Sequence, residues 1–236
     1  MESIKEIFKI GFGPSSSHTM GPQKAADEFR RKYPHADSYK VILYGSLAAT
    51  GKGHFTDQII LKTLGDKKTS IEWRADDSLA LHPNGMDFFA YQNQTEIGTW
   101  RVYSVGGGSI RDEINFAERE NQIYEMNTMD EILYFCNQTG RSFWELVEIY
   151  EDKSIWNHLE NVWKTMKDVI SSGLNNEGVL PGNLRVPRKA AQYHMKAENM
   201  GFVLGEIGLV FAYALAVSEE NASGNEIHFR PYGYDS

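Results

Sequence analysis

Near residue 125 the spacing of apolar residues changes period, so the chain has to build two different kinds of structure. Upstream, Thr69–Trp73, Met86–Gln92 and Gly98–Val105 alternate apolar with polar residues, as strands buried on one face do. Tyr39–Tyr44 is a β-branched and aromatic run stopped by Gly45, and reads as a further strand. Helical spacing intervenes at Gly21–Lys32, where Pro22 falls early enough to need no N–H, and more weakly at Thr56–Thr63. Downstream only helical spacing remains. Thr128-Met-Asp-Glu131 and Ser142-Phe-Trp-Glu145 have capping-box spacing, with Gly140 as a stop between them. One long helix is predicted from Ser142 to about Ser171, with Trp144, Val147, Ile149, Trp156, Leu159, Trp163 and Met166 largely on one side. Gly178–Pro187, with two prolines, is an irregular connector, and a last helix is predicted from about Arg188 to Val217. The fold class is therefore α+β. A mixed α/β domain over 1–125, with a sheet of at least four strands, precedes an all-helical segment over 126–236.

Charge and composition exclude several functions. The formal charge of −8 and the lack of a basic run argue against a nucleic-acid partner. The longest apolar run, Ile207–Val217, falls well short of the roughly 20 residues needed to span a bilayer, so no membrane association is expected. Acidic residues interrupt the N-terminus and no apolar core follows, so it does not read as a signal peptide. The single cysteine, Cys136, rules out an internal disulfide and suits a reducing cytoplasm.

Three segments concentrate groups able to do chemistry. Gly13-Pro-Ser-Ser-Ser-His-Thr-Met-Gly-Pro22 offers hydroxyls and an imidazole, and runs directly into a helix whose first N–H groups favour an anion. A plain helix cap needs one hydroxyl, so a binding loop is the stronger reading. The second segment, Gly45–Asp57, invites comparison with a phosphate loop. It fails that comparison, because five residues separate Gly45 from Gly51-Lys52 and Gly53 stands where a magnesium-binding hydroxyl belongs. What remains is a glycine-softened turn presenting His54, Thr56 and Asp57, with an imidazole suited to base work near neutral pH or, equally, a surface histidine. The third, Ser104-Val-Gly-Gly-Gly-Ser-Ile110, reads by itself as a hinge after a strand, and His82–Met86 reads as a hairpin turn. No H-E-x-x-H or G-x-S-x-G pattern supports a zinc protease or an α/β-hydrolase.

In this order the segments resemble the iron–sulfur-dependent L-serine dehydratases. The resemblance rests on Phe8–Pro22, Tyr44-Gly-Ser-Leu47, Thr50–Asp57, Asn84-Gly-Met86 and Ser104-Val-Gly-Gly-Gly108. It continues through Tyr134–Gly140, Glu177–Arg188 and Ala214–Gly224, nearly the whole chain. It implies a substrate-binding mixed domain followed by a helical catalytic domain that holds a 4Fe-4S cluster. There an iron without a cysteine ligand acts as Lewis acid on the serine hydroxyl while a base takes the Cα proton. The aminoacrylate so formed tautomerises and hydrolyses to pyruvate and ammonia. Carried onto this sequence, Ser15, Ser16, Ser17 and His18 would hold the L-serine carboxylate, and His54 would be the base. Thr56 and Asp57 would position His54 or the amino group.

Two departures bear on that expectation. Family members carry their cluster cysteines beyond the Glu-Glu-Asn-Ala element, whereas the one cysteine here, Cys136, sits in a helical pattern and reads as a core residue. After Gly224 the tail Asn225–Ser236 matches nothing in the family, which suggests a shifted frame or a truncated gene. The chain is accordingly expected to lack a metal site, to be inactive alone, and to leave apolar residues of its last helix (Phe202, Leu204, Leu209, Phe211, Leu215) without a partner. A non-catalytic amino-acid-binding module and a half-enzyme completed by a cysteine-bearing chain, or a homodimer, are the alternatives.

Overall fold

The computed structural model describes residues 1–116, 122–182, 184–224 and 229–230. A short strand β1 (Lys9–Ile10) leads to the serine-rich loop and helix α1 (Gly21–Lys32); strand β2 (Ser38–Tyr44) and helices α2 (Gly45–Thr50) and α3 (Thr56–Leu64) follow. Then come strands β3 (Thr69–Arg74), β4 (Gly85–Gln92), β5 (Thr95–Gly106) and β6 (Ser109–Asp112). These form a five-stranded sheet in the order β3-β2-β4-β5-β6. β2 and β3 run parallel across the helical crossover, and the remaining pairs are antiparallel. One face is covered by α1 and α3: Ala25, Ala26 and Phe29 pack with Ile59, Ile60 and Leu64 onto Val41, Leu43, Met86, Phe88 and Val102. Burying such side chains contributes about 1.5–3 kcal/mol each, which makes this layer the main source of stability for the sheet half.

The α+β class holds, and the sheet has one strand more than the alternation showed. β6 follows Gly106, Gly107 and Gly108, all at positive φ, so the triple glycine is a hairpin turn between β5 and β6 and not a hinge. His82–Met86 is not a hairpin turn, because β2 lies between β3 and β4. The β4–β5 hairpin turns instead at Asn93 and Gln94, both at positive φ, which gives the turn a twist matching its strands.

The helical half comprises α4 (Met129–Thr139), α5 (Phe143–Tyr150), α6 (Ser154–Asn175), α7 (Ala190–Glu198) and α8 (Phe202–Ala222). Both predicted capping boxes are formed, and Gly140 ends α4 in the left-handed conformation. The long helix predicted from Ser142 is two helices, for a tertiary reason. At the break the buried Glu151 carboxylate accepts from Ser3 Oγ (2.7 Å), Ile4 N (2.8 Å) and Tyr124 Oη (2.8 Å). Asp152 Oδ1 then accepts from Ser154 N at 2.7 Å as α6 begins, and its other oxygen takes Lys5 Nζ at 2.7 Å. The docked N-terminus thus replaces helical continuity. The inward stripe is Leu146 on α5 with Ile155, Val162 and Val169 on α6; Trp144, Ile149, Trp156 and Trp163 are exposed.

The last predicted helix also divides. The chain turns back at Met200–Gly201, so that Ala197 of α7 meets Gly205 and Gly208 of α8, where any Cβ would fall 2.8–3.0 Å from Ala197 atoms. Arg188 precedes α7 and is buried in an ion pair, outside the helix. Of the apolar face expected on α8, Leu204 and Phe211 are exposed, whereas Leu209 and Leu215 are half-buried; the Phe202 side chain lies outside the described residues. The backbone of β7 (Phe229–Arg230) pairs antiparallel with β1, and the remainder of the tail lies outside the described residues.

Candidate functional site

The serine-rich loop folds onto itself before it can offer anything to a ligand. Residues Ser16–Met20 form one π-helical turn leading into α1. The Ser15 carbonyl accepts from Thr19 N (3.0 Å) and Met20 N (3.2 Å), Ser15 Oγ accepts from His18 N (3.2 Å), and the Gly21 N–H bonds the Ser16 carbonyl. The N–H groups of His18, Thr19, Met20 and Gly21 are thus satisfied within the turn. Ser15 and Ser17 are buried and Ser16 and His18 half-buried, so the latter two are the loop's accessible groups. A π turn inside a helical path is a strained feature that recurs at functional sites.

The second segment carries the other imidazole to the same place. The rings of His18 and His54 lie with centroids 4.8 Å apart, tilted by 39°. Two hydroxyls lock their backbones together: Thr19 Oγ1 donates to the His54 carbonyl at 2.8 Å, and Thr56 Oγ1 donates to the His18 carbonyl at 2.5 Å. His54 Nδ1 sits 3.0 Å from the Thr50 carbonyl oxygen, which can only accept, so that nitrogen carries a hydrogen, and in the neutral ring Nε2 holds the lone pair. Phe55, at φ 58° in the left-handed region, makes the sharp turn between His54 and α3.

The remaining motifs pack against one another. Gly45 has positive φ, and a Cβ there would fall 2.5 Å from the Pro83 carbonyl oxygen. Ser104 N donates to the Asn84 carbonyl at 2.9 Å, and Ser104 Oγ lies against Gly21, where a Cβ would be 2.1 Å away. Ser104 Oγ and Asn84 Oδ1 are buried with no hydrogen-bond partner among the described residues. His82 Nδ1 accepts from Asn84 N at 3.1 Å, and burial pushes its pKa down.

A third wall comes from the helical half. Asn221, at the end of α8, donates from Nδ2 to the Pro14 carbonyl at 3.3 Å. Its neighbour Glu220 is fully buried: Oε1 accepts from Arg188 Nη1 (2.6 Å) and Asn176 Nδ2 (2.9 Å), and Oε2 from Ser172 Oγ (3.2 Å). Arg188 also donates to Ser223 Oγ. Glu219 accepts from Lys189 N at 2.6 Å, fixing the start of α7. Between this element and α3 lies a cavity of about 380 Å³ lined by Gly13, Thr19, Phe55, Lys62, Pro181 and Ser223, among others. Of the residues predicted from sequence, Ser15, Ser17, His18, His54 and Thr56 come together. Ser16 borders them. Asp57 opens α3, where its Oδ1 accepts from Gln58 N at 2.9 Å. Sequence reasoning missed Ser46, whose Oγ lies 3.1 Å from His18 Nε2, and it missed the seating of Pro14 on Asn221.

Comparison with known proteins places the chain in a family. Residues 3–68 match the family described as serine dehydratase beta chain, and residues 47–231 match serine dehydratase alpha chain. The chain belongs to the serine dehydratase family. An L-serine dehydratase of Haemophilus influenzae is 32% identical over 286 residues, covering 98% of this chain and 63% of the relative. L-serine dehydratase 1 of Escherichia coli shares 32% over 285 residues with the same coverage. An L-serine dehydratase of Streptomyces coelicolor shares 32% over 285 residues, covering 97% of this chain and 62% of the relative. The chain thus spans about 63% of the length of the curated relatives it matches.

The donor set bears on the iron–sulfur cluster that the resemblance implies. Cys136 is the sole cysteine and is buried in α4, and one thiolate cannot hold a cluster that needs several. Among the described residues no three His, Cys, Asp or Glu side chains are grouped to hold a metal. The residues present do not fit the cluster. No helix among the described residues is long and apolar enough to cross a membrane.

Proposed function

We propose that this chain forms the substrate-binding side of an L-serine dehydratase site, closed by the first helices of the helical half. The observation that carries this reading is the anchored ring of His54: Nδ1 is held on the Thr50 carbonyl, which leaves Nε2 as the basic nitrogen of the neutral ring, and the ring lies 4.8 Å from that of His18 in the serine-rich loop. In this reading His54 Nε2 takes the Cα proton of L-serine. Ser16 meets the substrate carboxylate, the His18 ring borders it with both nitrogens taken by hydroxyls, and the buried Ser15 and Ser17 hold His18 in place. Thr56 acts through the His18 carbonyl, and Asp57 steadies the first turn of α3. Loss of the Cα proton and the β-hydroxyl gives 2-aminoacrylate, which tautomerises and takes up water to give pyruvate and ammonia. Departure of hydroxide needs an electrophile. In the iron–sulfur enzymes that this chain resembles a 4Fe-4S cluster supplies it, and the donor set of this chain does not, so the chain alone binds serine without turning it over. The donor set equally favours a partner chain that brings the cysteines. A cytoplasmic location fits the single thiol.

Calorimetric titration of the purified chain with L-serine tests the reading, together with an assay for pyruvate. Saturable binding of L-serine, weakened by His18→Ala, and no pyruvate are expected. Absence of binding would overturn the substrate assignment, and pyruvate release would overturn the inactivity.

A further inference from the structure

The two imidazoles of the site are anchored by one short helix. At its start, Ser46 Oγ lies 3.1 Å from Nε2 of His18. At its end, the Thr50 carbonyl lies 3.0 Å from Nδ1 of His54. Within α2 the two anchors are tied to each other, since Thr50 Oγ1 donates to the Ser46 carbonyl at 2.9 Å. The helix itself is fixed from below, because Gly45 at its first position leaves no room for a Cβ against the Pro83 carbonyl. On the other side His18 Nδ1 lies 2.9 Å from Ser17 Oγ, which lies 3.3 Å from Ser15 Oγ. His18 is therefore gripped at both ring nitrogens by hydroxyls, groups that can donate or accept as the ring requires. A ring held at both nitrogens cannot rotate about its Cβ–Cγ bond, and its plane beside His54 is set.

We propose that Ser46 is a positioning residue of the serine site, holding the His18 ring at the tilt and distance from His54 that substrate binding requires. The inference rests on the L-serine reading above for its functional part. It rests on the α2 geometry alone for its structural part. Ser46 is half-buried, and Ser46→Ala removes one atom, its hydroxyl oxygen, from the helix start.

The full chain, labelled with 15N in its histidine rings, tests the proposal by NMR alongside calorimetry with L-serine. In Ser46→Ala the His18 Nε2 signal is expected to lose its hydrogen-bonded position and broaden, while the His54 signals, anchored on Thr50, stay. L-serine affinity is expected to fall about 2- to 13-fold, the loss of one hydrogen bond's worth of placement. Ser46→Thr keeps the hydroxyl and should restore both readouts, which a role confined to general stability would not require. Unchanged His18 signals in Ser46→Ala, or failure of Ser46→Thr to restore them in a folded chain, overturns the proposal. Should Ser46→Ala not fold, Ser46→Cys, with a weaker donor, replaces it with the same expected direction. If the unsubstituted chain binds no L-serine, the substrate reading falls and the ring signals alone decide the role of Ser46.

Discussion

Asn221 donates its side-chain amide to the carbonyl of Pro14 across 207 residues of sequence, joining the end of α8 to the serine-rich loop. The contact is close on every side: a Cβ on Gly13 would lie 2.4 Å from both the backbone oxygen and Oδ1 of Asn221. Gly13→Ala must therefore push the two halves apart. The expected cost is about 1–3 kcal/mol of stability with a loss of L-serine affinity, read by urea unfolding and calorimetry. Unchanged stability and affinity would show that the seam is looser than this geometry.

Arg188 and Glu220 form a buried ion pair just behind that seam, with side chains 9% and 1% exposed. Breaking such a pair from one side leaves an uncompensated charge, so Arg188→Met is expected to cost about 3–5 kcal/mol. Adding Glu220→Gln removes the charge and keeps an acceptor for Asn176, and should recover at least about 1 kcal/mol. Additive losses in the double variant would sink the interpretation.

His82 titrates in a direction that sets an acid limit. Burial holds the folded imidazole neutral below its ordinary value near 6.5. As pH falls below that value the unfolded chain takes up a proton that the folded chain refuses. Stability is therefore whole above about pH 6.5 and is lost progressively on acidification through the folded value. His82→Asn, which can still accept from the Asn84 N–H, should flatten that slope. Urea unfolding at several pH values between about 5 and 7.5 checks it.

The helical half turns large residues outward on α8: Leu204, Ile207 and Val210 are 66%, 65% and 69% exposed, with Phe211 beside them. Small residues face inward instead, because a Cβ on Gly173 of α6 would fall 2.6 Å from the Ala216 carbonyl oxygen. Leu204→Ser/Ile207→Ser/Phe211→Ser is expected to lower binding of an apolar fluorescent dye severalfold at unchanged helical content. Dye binding equal to that of the unsubstituted chain would mean that the stripe is covered in solution.

Local sequence determined what local physics controls. Four of the five strands of the sheet, both capping boxes, the extent of α1 and the left-handed stop at Gly140 follow from side-chain period, hydroxyl–carboxylate spacing and the freedom of glycine. The segments carrying His18 and His54 stand out by their density of hydroxyl and imidazole groups, and the structure sets the two rings side by side. The broken helices were not legible. Nothing near Glu151 or Met200 forbids a helix, and the chain breaks there because Ser3, Ile4 and Tyr124 reach the Glu151 carboxylate and Ala197 packs back on Gly205. Tertiary structure alone decided that Ser46 anchors His18 and that Asn221 closes the loop. Each of these is a hydrogen bond from an ordinary residue. Its meaning comes from what the fold sets within 3.3 Å of it, and spacing along the chain carries no record of that distance.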